Sequence, residues 1–155
     1  MDSNKFTKQT IEAIGHAKDA AIDLGVNYIG TEHVLAGMAK VTNSIAANIL
    51  YNYNLTYNDI IAAIEEDMNI TSGIRSKSKL KNIGPSKRAE KMLEKAYMEA
   101  SEQGLPQIGT EHMLLAMIAD PDCEAHCVLA SYGVSLKKMC ADILNLTNRD
   151  INEVK

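Results

Sequence analysis

The chain has 155 residues, 46% apolar and 23% charged, with a net charge of −4. That balance fits an ordinary globular domain and excludes a disordered acidic or basic tail and a strongly basic nucleic-acid binder. No apolar run approaches the ~20 residues needed to cross a membrane, so no membrane partner is expected.

Apolar residues recur every three or four positions, and no Val/Ile/Thr alternation bounded by hairpin signals interrupts them. The predicted elements are therefore all helices. The first has Thr7 as its N-cap, carries Ile11, Ile14, Ala17, Ala21, Ile22 and Leu24 along one side, and stops at Gly25. A second begins at Thr31 and reaches about Lys40, a third covers about Ser44 to Tyr51, and a fourth runs from Thr56 to about Met68. Residues 69–84 are polar and basic, with Arg75, Lys77, Lys79 and Lys81, and read as a linker. Then Ser86 caps a helix that reaches about Gln103 and stops at Gly104. Thr110 opens the next, to about Ala119. Another spans about Asp122 to Ser131, and a last one runs from Ser135 to about Leu146. The polar tail from Thr147 is expected to fray.

The second set of four helices copies the first. Gly-Thr-Glu-His occurs at Gly30–His33 and again at Gly109–His112, an offset of 79 residues (109 less 30). The same register pairs Ala17 with Ala96, Gly25 with Gly104, Leu35 with Leu114, Leu50 with Leu129 and Tyr53 with Tyr132. A run of small and apolar matches in one ungapped register marks two copies of one structural unit. The expected organisation is a single all-α domain over 1–155, with repeats at 5–68 and 85–147 joined by the linker at 69–84.

The tetrapeptide makes a good helix start. Glycine lets the chain turn sharply, Thr31 and Thr110 can cap with their hydroxyls, and Glu32 and Glu111 stand in first turns where the helix dipole favours a carboxylate. The same geometry can bind. Free N–H groups at a helix start attract an anion, and a first-turn glutamate offers a bidentate acceptor to a guanidinium. A ligand carrying both groups on adjacent atoms, such as a phosphorylated arginine side chain, would satisfy both.

These residues carry a resemblance. Phe6-Thr7, Leu24-Gly25, the doubled Ile-Gly-Thr-Glu-His at 29–33 and 108–112, and Tyr132-Gly133-Val134-Ser135-Leu136 resemble the N-terminal double-repeat domain of the Clp/Hsp100 unfoldases, closest to the ClpC type. The resemblance runs from about Phe6 to Leu146. It implies eight helices in two pseudo-twofold-related four-helix repeats, with no chemistry and no cofactor of their own. It implies a docking module for protein substrates or adaptors, working with an AAA+ ATPase module in cis or in trans and a ClpP-type peptidase. In ClpC-like members the ligand is phosphoarginine. Carried over by position, Glu32 and Glu111 take the guanidinium, Thr31 and Thr110 cap their helices, and Thr7 and Ser86 neighbour the phosphate. The chain departs from the family at Gly84-Pro85-Ser86-Lys87, where an aromatic and Thr-Pro-Arg are commoner, although Ser86 keeps a hydroxyl. It also holds no Gly-x-x-x-x-Gly-Lys-Ser/Thr phosphate loop.

Other readings are weaker. The three cysteines, Cys123, Cys127 and Cys140, are odd in number and argue for a reducing, cytoplasmic setting. With His126 they offer metal-type donors. The first repeat has Ser44, Ala47, Asn48 and Ile61 in those places, so small buried residues explain them as well, and no metal is expected. His33 and His112 point about 100° away from the adjacent glutamates and suit core or capping roles. The methionines read as core. One Phe and no Trp leave little for base stacking, so no nucleic acid is expected. No nucleophile stands at a recognisable spacing from a base, and no heptad seam suggests an oligomer, so a monomer is expected. The alternative function is an interaction module, adaptor or regulator, whose pockets are vestigial.

Overall fold

The computed structural model describes residues 3–68 and 83–154. A 3-10 turn at Ser3–Lys5 leads into eight helices: α1 Lys8–Asp23, α2 Thr31–Lys40, α3 Ile45–Asn52, α4 Tyr57–Met68, α5 Lys87–Glu102, α6 Thr110–Ile118, α7 Glu124–Ser131 and α8 Leu136–Val154. The fold is all-α, as expected. The expected linker lies mostly outside the described residues. Thr7, Ser44 and Ser86 cap α1, α3 and α5, each accepting the backbone N–H three residues on. Thr56 and Asp59 form a reciprocal box at the start of α4. α8 runs on to Val154 rather than fraying after Leu146, since no glycine or proline interrupts residues 147–154.

α2 and α6 are the centre of the molecule. Every residue from Thr31 to Met38 is buried, as is every one from His112 to Met117. A helix enclosed on all sides carries no polar stripe, and both sequences lack one. Around them pack Leu50, Ile60, Ile64, Leu129, Met139 and Ile143, all fully buried. The methionine expectation holds for Met38, Met92, Met113, Met117 and Met139, but Met98 is 61% exposed.

The first helix keeps part of its expected face: Ala17 and Ala21 are buried, but Ile11 is not. Its buried residues are Thr10, Ala13, Ala17, Ala20 and Ala21, while Ile11 is 48% exposed. The cause is Gly37 on α2. A Cβ there would lie 2.2 Å from the Ala13 carbonyl oxygen and 2.8 Å from the Ala17 amide nitrogen. Backbones this close admit only alanines between them, so Ile11 turns outward while Ile14 and Leu24 pack half-buried at the edge of the core.

The two sequence repeats are not separate bundles, because each exchanges its leading segment with the other. The segment entering α1 pairs with the one entering α6 through a parallel bridge between Phe6 and Ile108. The segment entering α5 pairs with the one entering α2 through Pro85 and Ile29. The hydrogen bonds repeat with the 79-residue register: Thr7 N–H donates to Ile108 at 3.0 Å, and Ser86 N–H to Ile29 at 2.9 Å. In return Ile108 N–H donates to Lys5 at 2.6 Å, and Ile29 N–H to Gly84 at 2.9 Å. Pro85 falls between the two bonded positions, so its missing donor costs the pair nothing. Further along, Tyr53 on the α3 end reaches Asp142 on α8, and Tyr132 on the α7 end reaches the main chain of Asp59 on α4, each at 2.6 Å.

Candidate binding mouths at the central helix starts

The N-cap positions of α2 and α6 are Gly30 and Gly109, and the threonines are the first helical residues. The expected capping role of Thr31 and Thr110 is therefore corrected. The physical reason lies with the glutamates. Each carboxylate folds back over its own glycine, so that a Cβ on Gly30 would meet Glu32 Oε1 at 1.9 Å and one on Gly109 would meet Glu111 Oε1 at 1.8 Å. A side chain at the cap position is sterically impossible while the carboxylate lies there.

The histidine completes the turn. His33 Nδ1 accepts the Gly30 N–H at 2.8 Å, and His112 Nδ1 accepts the Gly109 N–H at 2.8 Å. With Nδ1 an acceptor, the neutral ring carries its proton on Nε2. Burial lowers both imidazoles from their ordinary range, that of His33 to about 4. Near neutral pH both are uncharged, so the 3.9 Å approach of each Nδ1 to the adjacent glutamate is no ion pair.

Freed from capping their own helices, the threonines cap others across the pseudo-twofold. Thr31 Oγ1 accepts the Ala125 N–H at 3.0 Å, at the start of α7, and Thr110 Oγ1 accepts the Ala46 N–H at 3.2 Å, at the start of α3. Both hydroxyls are thus committed to holding the repeats together.

The exchange of leading segments decides which expected residues meet. Thr7 is bonded to Ile108, the residue before the Gly109 cap of α6. Ser86 is bonded to Ile29, the residue before the Gly30 cap of α2. Each central helix is thus entered along the segment that leads into the capped helix of the other repeat. Both carboxylates are withdrawn: side-chain exposure is 6% at Glu32 and 14% at Glu111. The α2 mouth also holds residues that the sequence pattern did not single out. Glu124 accepts from Thr31 Oγ1 at 3.4 Å. The phenol of Tyr28 is raised by burial and then by the charges of Glu32 and Glu124. Their counterparts at the other mouth are Ile45 and Gln107, so no repeated signal marks them.

The metal-type donors do not converge. Cys123 is the buried N-cap of α7, its sulfur accepting the His126 N–H at 3.4 Å where Ser44 uses an oxygen. Cys127 is exposed, Cys140 is half-buried, and all three are free. Among the described residues no group of three His, Cys, Asp or Glu side chains is placed to hold a metal ion. No described helix is long and apolar enough to cross a membrane.

Two interlocked repeats with a glutamate-covered glycine at the head of each central helix define an all-α double-repeat module. The model of the Clp repeat (R) N-terminal domain matches residues 5–131 and 84–154, and the chain belongs to that family. Over 146 residues it is 33% identical to the chaperone protein ClpB of Oceanobacillus iheyensis, a match covering 94% of this chain and 17% of that one. Identity and coverage are the same for the negative regulator of genetic competence ClpC/MecB of Bacillus subtilis. The chain thus spans about a sixth of the length of these relatives. Among solved structures it is similar to the N-terminal domain of the caseinolytic protease-associated chaperone ClpD from Arabidopsis thaliana. There the TM-score is 0.77 at 21% identity, covering 92% of this chain and 97% of that one. The Hsp104 N-terminal domain from Candida albicans gives 0.73 at 18%, covering 92% and 91%.

Proposed function

We propose that the chain is a non-catalytic docking domain of a cytoplasmic Clp-type protein-unfolding system, receiving protein substrates or adaptors for an AAA+ ATPase and a ClpP-type peptidase. We propose further that its ligands carry phosphoarginine, with the guanidinium on Glu111 or Glu32 and the phosphate toward the helix start capped by Thr7 or Ser86. The observation that supports this reading is the exchange of leading segments, which bonds the capped start of α1 or α5 to the residue ahead of each glutamate-bearing helix start. A helix start favours an anion and a carboxylate favours a guanidinium, so each mouth has the polarity of the ligand.

Calorimetry with free phosphoarginine tests this. Binding is expected for phosphoarginine and not for arginine or phosphate alone, with loss in the Glu32→Ala/Glu111→Ala double variant. The more exposed Glu111 makes its mouth the tighter one, so Glu111→Ala alone removes more of the heat than Glu32→Ala. Absence of heat, or heat unchanged in the double variant, overturns the phosphoarginine reading.

The inward fold of both carboxylates favours one alternative, an interaction module whose glutamates serve only the helix starts. In that case a partner adaptor or ATPase binds equally to the wild-type and double-variant domains.

A further inference from the structure

A second surface, lined by none of the residues of either mouth, has the character of a binding site. A groove of about 500 Å³ lies between α4 and α7, lined by Ala63, Glu66, Cys127, Val128, Ser131 and Tyr132. Its origin is visible in the repeat register. In the pseudo-equivalent seam between α3 and α8, Tyr53 donates to the Asp142 carboxylate at 2.6 Å and ties the helices together. The counterpart of Asp142 is Ala63. Tyr132 therefore finds no carboxylate at that turn and donates instead to the main-chain oxygen of Asp59, at 2.6 Å and one turn nearer the start of α4. The next turn of the seam, at Ala63 and Glu66, is left open.

The groove also carries its carboxylate in a different place. Glu66 replaces the neutral Asn145 of the other seam, and Cys127 replaces Asn48. Tyr132 is 43% exposed, and its phenol is raised by burial and then by the negative charges of Asp59 and Glu66. An exposed aromatic face with carboxylates nearby and an apolar floor of Val128 and Ala63 matches a side chain with an aliphatic stem and a cationic head. The chain itself shows the contact twice: Lys5 Nζ lies 4.7 Å from the centre of the Tyr97 ring, and Lys40 Nζ lies 4.5 Å from that of Tyr57.

We propose that the α4/α7 groove docks an extended segment of a protein partner through a lysine or arginine side chain, its stem on Val128 and Ala63 and its head between Tyr132 and Glu66. This site is independent of the two glutamate mouths.

Cys127 supplies the readout, because its exposed thiol lines the groove. The probe is a blocked peptide, Gly-Ser-Lys-Leu-Arg-Ser-Gly, with a control carrying Glu at both basic positions. Saturating basic peptide is expected to slow iodoacetamide alkylation of Cys127 at least fivefold, leaving Cys140 on α8 unchanged. Glu66→Gln should weaken the protection about tenfold in peptide concentration, and Ala63→Leu, which fills the groove, should remove it. The Glu32→Ala/Glu111→Ala variant should be protected like the wild type, so this proposal and the phosphoarginine reading fail separately. Protection by the acidic peptide, protection that survives both groove substitutions, or none at millimolar basic peptide overturns it.

Discussion

The two repeats solve the same two problems differently, and the differences show what the shared pattern requires. The first problem is how closely the leading helix approaches the central one. In the first repeat Gly37 lets α2 press its backbone onto Ala13 and Ala17 of α1. The second repeat has Ala116, Met92 and Ala96 in those places, so side chains rather than backbones fill the seam between α5 and α6. The second problem is the far nitrogen of the capping histidine. His112 Nε2 pairs with Gln103 Oε1 at 3.0 Å. In the first repeat the counterpart of Gln103 is Leu24, and among the described residues His33 Nε2 is buried without a hydrogen-bond partner. The ring of Tyr28 packs against His33 instead, with centroids 5.9 Å apart.

The largest expected consequence is on pH dependence. Burial holds the folded His33 at about 4, below the 6.5 of a free imidazole. Between those values the unfolded chain binds a proton that the folded chain refuses, so stability rises with pH. It is full above 6.5, falls on acidification, and the loss is complete below about 4. For a shift of that size the loss is on the order of 3 kcal/mol. Urea midpoints measured from neutral pH to pH 4 should show it. His33→Gln, which keeps an acceptor for the Gly30 N–H, should flatten the profile more than His112→Gln. Equal flattening by the two would mean that the repeats do not differ here.

A smaller effect is expected at the helix seam. Gly37→Ala places a Cβ against the α1 backbone, which has no flexible end to yield, and should cost about 2 kcal/mol in denaturant unfolding. Ala116→Gly in the other repeat relieves no contact and should cost about 1 kcal/mol through helix propensity. A Gly37→Ala protein as stable as the wild type would show that α1 can move away freely.

Much of this molecule was legible in its sequence. The helices, their caps at Thr7, Thr56 and Ser86, and the two-repeat plan follow from periodicity, capping chemistry and the doubled tetrapeptide. What was illegible was pairing in space. A repeat of 79 residues says that two units are alike, not that they exchange their leading segments, because bridges such as Phe6 to Ile108 are main-chain bonds between residues far apart in sequence. For that reason the sequence could not say that Thr7 meets the segment entering α6 rather than the one entering α2. The threonines misled for a related reason. A Thr at a helix start is most simply a cap, yet the partner amides of Thr31 and Thr110 lie on α7 and α3. Glu124 and Tyr28 had no repeated counterpart to flag them.

The smallest effect tests the histidine comparison directly by exchanging one residue across the register. Leu24→Gln gives the first repeat the partner that Gln103 supplies in the second. Leu24 is half-buried at the end of α1, so a longer polar side chain can reach His33 while leaving its own end near solvent. A buried N–H that gains an acceptor contributes about 1 kcal/mol, offset by lost apolar contact, so a net gain of about 0.5 kcal/mol is expected. Gln103→Leu should do the reverse, leaving His112 Nε2 without its acceptor and costing about 1 kcal/mol. If instead Leu24→Gln destabilises while Gln103→Leu is neutral, the packing of Tyr28 on His33 already serves the first repeat better than a hydrogen bond would. The two repeats would then be separate optima rather than a complete and an incomplete version of one design.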